Sequence, residues 1–300
     1  MIRVANAPCS WGVLEFEGMG ESYPFDRVLD EIASTGYIGS ELGDWGFMPT
    51  DPVRLREEFD RRGLQLLGAF VPVGMADATT HDDGVEVAVR TARLLAAASR
   101  VSPVIVLADN NGSNPYRTAN AGRITRADSL DDARWTTFAE GATKVARAVK
   151  DETGLRTVFH PHCAGYIEAP WEVDELLKRT PDDLLGLCYD SGHLLYGGAA
   201  DPVEPLRKYR DRVWHVHAKD CSLEVAARAR AEGWDYFAAV RNGIFCELGK
   251  GAVDFAAIAD TLKTTNYDGW VVVEQDVLPG MGKPADSAQR NRAFLQSLGL

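Results

Sequence analysis

Cysteine is scarce in this chain and is not arranged to carry chemistry. The five cysteines, Cys9, Cys163, Cys188, Cys221 and Cys246, are odd in number, widely spaced and form no CxxC pair, so neither a disulfide framework nor a zinc knuckle is indicated. Reduced thiols of this kind fit a cytoplasmic protein. No stretch free of charges is long enough to span a membrane. The opening Met1-Ile-Arg-Val-Ala-Asn6 lacks the apolar core of a secretory signal, and no membrane partner is expected. Basic residues are outnumbered: 32 Lys and Arg against 44 Asp and Glu give a formal charge of −12. Nucleic acid rewards the opposite balance, which leaves a small neutral or cationic ligand as the compatible partner. There is also no internal repeat, no low-complexity linker and no GxGxxG turn after the first apolar run, which argues against a dinucleotide-binding open sheet.

What the chain does have is alternation. With 45% hydrophobic and 25% charged residues it is of ordinary globular composition. Short apolar runs predict strands at Arg3–Ala7, Ile38–Leu42, Leu64–Val71, Val104–Leu107, Arg156–His160, Leu184–Tyr189, Val213–His217 and Trp270–Glu274. Continuous apolar runs suit parallel strands covered on both faces. Between them, helical spacing with start and stop residues predicts Phe25–Ser34, Pro52–Arg62, Val85–Ala98, Asp131–Lys150, Trp171–Arg179, Pro202–Tyr209, Phe255–Thr265 and Ser287–Leu298. Eight such units predict an α/β fold, a (β/α)8 TIM barrel forming one domain over residues 1–300. Two connections are long, Asp109–Ser129 and Asp220–Asp254, the second with a helical pattern at Leu223–Ala231. Long loops in compact domains tend to be functional, and on a barrel these would cover the active face.

Five of the six histidines fall between residues 160 and 217, most of them at the ends of apolar runs. Residues two apart on a strand share a face, which pairs His160 with His162 and His215 with His217. Asp190 closes the sixth run, and Glu274 follows three valines in the eighth, where a buried carboxylate needs a partner. Imidazoles and carboxylates at the ends of four successive strands can converge on one divalent cation, and a mixed nitrogen and oxygen set suits Mn, Co, Mg or Zn. Duller roles compete one by one: Asp190 can cap a following helix, and Lys219 can pair with Asp220 or Asp190 on the surface. Collectively, the repetition on neighbouring strands favours the metal.

The same residues carry a resemblance. Asn6-Ala-Pro-Cys-Ser-Trp-Gly12, His160-Pro-His162, Asp190-Ser-Gly-His193 and His215-Val-His-Ala-Lys-Asp220 together resemble the inosose dehydratase family, one of the xylose isomerase-like TIM barrels. The resemblance extends over nearly the full length, and the opening motif is the part that points to the dehydratase branch. It implies one divalent ion, Mn or Co first with Mg or Zn as alternatives, held by Glu, Asp, His and Glu. Asp190, His217 and Glu274 match the last three positions. The first is a Glu-Asn-His pattern in the wider group, whereas this chain has His160-Pro-His162, so His160, or Glu168 a little further on, would supply that ligand. The dehydratase branch itself tends to carry histidines at this point.

That family reading implies a metal-dependent lyase acting on a small polyhydroxylated ketone, with Glu41, His193 and Lys219 as candidates for proton transfer. His162, His215 and the aromatic residues Trp11, Trp45 and Phe47 are then candidates for substrate contact. An isomerase or epimerase shares the first proton abstraction, and a non-catalytic barrel subunit is the reading if no metal binds. The composition is also compatible with a homo-oligomer.

Overall fold

The apolar runs become strands because both of their faces are covered. The computed structural model describes residues 1–13, 23–278 and 280–300. Its strands are β1 Ile2–Asn6, β2 Gly39–Ser40, β3 Gln65–Leu66, β4 Gly68–Val73, β5 Val104–Asp109, β6 Arg156–Phe159, β7 Leu185–Asp190, β8 Val213–Ala218, β9 Asp220–Cys221, β10 Phe245–Cys246 and β11 Gly269–Val273. Nine of these form one sheet in the order β3-β2-β1-β11-β8-β7-β6-β5-β4, parallel at every pairing. The two ends of that order, β3 and β4, are halves of one run broken at Leu67. The Leu67 N–H reaches the Ser40 carbonyl at 3.1 Å and the Leu42 N–H reaches the Gly68 carbonyl at 2.9 Å, which brings the sheet round on itself. The predicted eight-stranded parallel barrel is the architecture observed.

The helices are α1 Phe25–Ser34, α2 Pro52–Asp60, α3 His81–Ala98, α4 Pro115–Ala119, α5 Asp132–Thr153, α6 Pro170–Arg179, α7 Ser191–Tyr196, α8 Val203–Lys208, α9 Leu223–Glu232, α10 Tyr236–Arg241, α11 Phe255–Thr264 and α12 Pro284–Ser297. Eight of them match the predicted ones with small shifts of the ends, α9 forms at the helical pattern expected in the second long connection, and α4, α7 and α10 are short additions in the loops. Asp51, Asp131 and Asp254 cap α2, α5 and α11 by accepting the Arg54, Arg134 and Ala257 N–H groups, each cap stabilising by about 1 kcal/mol. The 22-residue α5 ends at Gly154, whose φ of 73° suits glycine at a left-handed stop. Among the described residues, no helix is long and apolar enough to cross a membrane.

Strand alternation sorts the apolar residues into layers. On β5, Ile105 and Leu107 belong to the large core beneath the helices, whereas Val104 and Val106 belong to a small inner cluster. Val216 on β8 and Val271 and Val273 on β11 also belong to the outer core. His215 and His217, on the opposite face from Val216, therefore look into the barrel.

Candidate active site

Every residue of the polar cluster sits at or just beyond the C-terminal end of a barrel strand, the end at which such barrels carry their chemistry. Asp190 is the last residue of β7, His217 is one from the end of β8, Glu274 directly follows β11, His160 directly follows β6 and Glu41 directly follows β2. Metal-ligating atoms of His160, Asp190, His217 and Glu274 all lie within 4.8 Å of one another. His160 Nε2 is 3.4 Å from Asp190 Oδ2. His217 Nδ1 is 3.3 Å from Glu274 Oε1 and 3.8 Å from Asp190 Oδ2. These spacings suit donors arranged around a common centre.

Asp190 combines the helix cap weighed from sequence with a place in this cluster. Its Oδ1 accepts the His193 N–H at 2.7 Å and caps α7, while Oδ2 faces the two imidazoles. The close seat of α7 against the end of β8 depends on Gly192, where a Cβ would stand 2.7 Å from Lys219 Cγ.

Glu41 is spoken for. Its Oε1 lies 2.7 Å from His215 Nε2 and 3.0 Å from His217 Nε2, a carboxylate receiving two imidazole N–H groups. Burial alone would raise its carboxyl, but His217 and His215 outweigh that and hold it at about 2. Burial opposes a charge on His217, yet Cys188, Glu274 and Glu41 hold its imidazole well above the ordinary range; with the Nε2–H donated to Glu41, it is the proton on Nδ1 that a cation would displace. Nδ1 is buried and has no hydrogen-bond partner among the described residues. Carboxylate-backed imidazoles of this kind are how proteins fix a metal-binding tautomer. Glu41, expected as a proton-transfer group, thus also stands behind His217 through Oε1, while the residue itself borders the cavity.

The charge balance points the same way. Glu41, Asp190 and Asp276 are buried, and Glu274 is 12% exposed; Lys219 is their buried ammonium partner. Its Nζ is 3.2 Å from Glu274 Oε2 and 3.4 Å from Asp276 Oδ1. Burial opposes the Lys219 charge, yet Asp276, Glu274 and Asp190 together keep it well above the ordinary lysine range. Glu274 is pushed up by burial and drawn down more strongly by His217 and Lys219, ending well below the usual carboxylate range. Buried carboxylates in excess of buried cations are costly unless paired, and a divalent ion among these donors would offset the surplus. Both tests, an orphaned imidazole nitrogen and surplus negative charge, fit a resident cation.

Above this floor is a small cavity lined by Glu41, His160, His162, Lys219 and Glu274, with Cys9, Asp44, Phe70, Tyr236, Val240 and Asp276 forming its walls. Tyr236 and Val240 come from α10, so the long connection after β8 does cover the mouth. The other long connection braces the segment after β6. Arg117 donates to both oxygens of Glu172 at 2.9 and 2.8 Å and to the Gly165 carbonyl at 2.7 Å.

Several expectations are corrected. Trp11 is completely buried and gives its Nε1–H to Glu31 at 2.7 Å, a tie between the first strand's end and α1 rather than a sugar platform. Trp45 is 40% exposed, with the Arg90 guanidinium 4.1 Å from its ring centre. Phe47 lines a separate surface depression with Tyr23. The aromatic walls of the cavity are Phe70 and Tyr236. His215 is turned to Glu41 below the cavity. His193 is buried behind His162, the two ring centres 3.9 Å apart, with Nε2 3.4 Å from Lys219 Nζ, so it supports the wall instead of lining it. Glu168 spends its two oxygens on the Gly122 and Ala164 N–H groups at 2.6 and 2.9 Å, which removes it as a ligand. Lys219 pairs with neither residue expected of it: Asp220 accepts four backbone N–H groups, from Cys221, Gly249, Gly251 and Val253.

Asp44, Tyr236 and the Arg117–Glu172 pair were not legible from sequence. Asp276 carried a faint signal, two residues beyond Glu274 and so of the same strand parity.

The profile of the family described as "Xylose isomerase-like TIM barrel" matches residues 25–298. The chain belongs to that family. It is 31% identical over 296 residues to an inosose dehydratase of Geobacillus kaustophilus (strain HTA426), covering 99% of this chain and 94% of that one. An inosose dehydratase of Lacticaseibacillus casei is 26% identical, over 99% of this chain and 97% of its own. Among solved structures of this fold, an L-ribulose 3-epimerase superposes with a TM-score of 0.70 at 16% identity, covering 99% of this chain and 94% of the other. The probable 3-DHS dehydratase of petrobactin synthesis from Bacillus anthracis does so at 0.71 and 15%, over 99% of both chains. At those identities the structures speak for the fold, and the full-length relatives for the dehydratase branch of the xylose isomerase-like barrels.

Proposed function

We propose that this chain is a metal-dependent carbon–oxygen lyase that removes water from a small cyclic polyhydroxy ketone such as 2-keto-myo-inositol. The observation that carries the reading is the convergence of His160, Asp190, His217 and Glu274 beneath a cavity whose wall holds a buried, charged Lys219. It is joined by the names of the full-length relatives. His160, Asp190, His217 and Glu274 would hold one divalent ion, Mn or Co, with Mg or Zn as alternatives. When bound, such an ion would polarise the substrate carbonyl and so acidify the neighbouring C–H. Lys219 is a charged donor, suited to protonating the departing β-hydroxyl. Asp44 and Asp276 at the cavity wall are acceptors for the remaining substrate hydroxyls, and Phe70 and Tyr236 pack against the ring.

Epimerisation fits less well. It calls for proton transfer on both faces of one carbon, whereas the names of the full-length relatives support dehydration. A non-catalytic barrel would have no use for so many buried charges around one cavity. The reduced cysteines are in keeping with a cytoplasmic location. The test is incubation with 2-keto-myo-inositol and a panel of ketoses in the presence of Mn. Appearance of an unsaturated or dione chromophore supports dehydration; a new ketose or aldose with no chromophore would replace the lyase by an isomerase.

A further inference from the structure

We propose that His162 is the base that takes the proton from the carbon beside the substrate carbonyl, its ring preset for the task by the Cys163 peptide. This inference rests on the dehydratase reading above. His162 Nδ1 lies 2.6 Å from the Cys163 carbonyl oxygen. A carbonyl only accepts, so the ring proton is on Nδ1 and the lone pair is on Nε2. Nε2 lies 3.4 Å from the hydroxyl of Tyr236, a wall residue of the cavity, and His162 lines that cavity beside His160, the ring centres 5.6 Å apart. The base is therefore adjacent to the proposed ion, where the acidified C–H would sit.

The peptide that orients it is itself held from several sides. The Cys163 N–H donates to His193 Nδ1 at 3.2 Å, so His193 acts as a positioning residue. The next residue, Ala164, has a positive φ of 70°, a strained conformation for alanine. It is kept there by its N–H on Glu168 at 2.9 Å and its carbonyl on the Gly112 N–H at 3.2 Å. One peptide unit thus sets the His162 tautomer through its carbonyl and is itself anchored on His193 through the Cys163 N–H.

The step balances without another reactant. The C–H proton passes to His162 Nε2, and the C–H electron pair becomes the new carbon–carbon π bond. The β-carbon–oxygen bond breaks with its electrons on oxygen, and that oxygen takes a proton from the Lys219 ammonium and leaves as water. His162 ends as an imidazolium and Lys219 as an amine, and exchange with solvent restores both.

The first experiment is 15N–1H correlation of histidine-labelled protein loaded with diamagnetic Zn. His162 is expected as the Nδ1–H tautomer; an Nε2 proton on His162 overturns the proposal whatever the substrate. The second compares H162N and K219M for deuterium wash-in from D2O at the carbon beside the carbonyl and for dehydration of 2-keto-myo-inositol. Asn at 162 keeps an amide N–H near the Cys163 carbonyl and loses the base, so wash-in and turnover are both expected to fall about 100- to 10,000-fold, with Mn affinity unchanged within about threefold because His162 is not a ligand. K219M is expected to keep wash-in and lose dehydration. Wash-in surviving in H162N overturns the base assignment. A wild-type protein that leaves 2-keto-myo-inositol inert sinks the substrate reading, while the tautomer measurement still decides the base.

Discussion

At the scale of single residues, the account depends on which lone pairs and charges meet beneath the cavity. Glu274 touches both the proposed ion position and Lys219, so Glu274→Ala should lose bound metal and activity together. Full activity in that variant, assayed with metal content measured on the same sample, would contradict the site. Glu41 is predicted to act one step back. Glu41→Gln keeps the size but gives His215 and His217 an amide in place of a carboxylate. Mn affinity should fall about 10- to 100-fold, as for other partners standing behind metal ligands, with most of the turnover recovered at saturating Mn. Loss of turnover that no amount of Mn restores would instead put Glu41 in contact with substrate. Both variants can be read by Mn titration followed as a thermal shift.

At the scale of elements, the segment between β6 and α6 shapes the cavity wall while its stability comes from elsewhere. Arg117, on α4, and Glu172, in the first turn of α6, form a bidentate ion pair with side chains only 2% and 1% exposed. Glu172 also accepts the Glu168 and Ala169 N–H groups at 2.8 and 2.9 Å. Removing one partner strands the other charge, so Arg117→Met should cost about 3–5 kcal/mol in urea unfolding. Adding Glu172→Leu should return part of that loss. Equal stability of the single and double variants would mean that the pair is not coupled.

Glu168 gives the same segment a pH signature. Burial lifts its carboxyl to about 7, against the two backbone N–H groups and Arg117 that pull it down. The folded chain therefore keeps this proton over a range where the unfolded chain, with an ordinary value of 4.5, has released it. Its contribution to stability is complete below the unfolded value and is lost as pH rises through about 7, amounting to about 3 kcal/mol at most. Glu168→Gln should flatten the fall in urea midpoint between those limits; an unchanged slope would assign it to other groups.

At the scale of the whole molecule, much of the barrel was legible because its signal is local. Unbroken apolar runs such as Val104–Leu107 and Val271–Val273 state their own burial, and capping aspartates mark the helix starts. The candidate ligands were legible for a related reason: a strand that ends in His, Asp or Glu after several apolar residues must bring that group to the barrel mouth. What sequence could not supply was direction at short range. Trp11, Trp45, His193 and His215 stand near the right strand ends, but a few tens of degrees of backbone decide whether a side chain meets the cavity, the core or a neighbour. Glu41 was assigned to the correct mouth, but its bonds to two histidines could not be foreseen, since these lie more than 170 residues away in the chain. Tyr236 and the Arg117–Glu172 pair depend on how two long loops fold back, for which no short-range pattern exists. The charge of −12 was legible at once, but the concentration of carboxylates around one cavity emerged only on folding.

The central claim is that four side chains from adjacent strands share one cation. Anomalous diffraction from crystals soaked in Mn tests it most directly. The account predicts a single strong peak within about 2.0–2.3 Å of donor atoms from His160, Asp190, His217 and Glu274, in the range of first-row metal–ligand bonds. A map with no peak there, or with Mn bound by other residues, would contradict it.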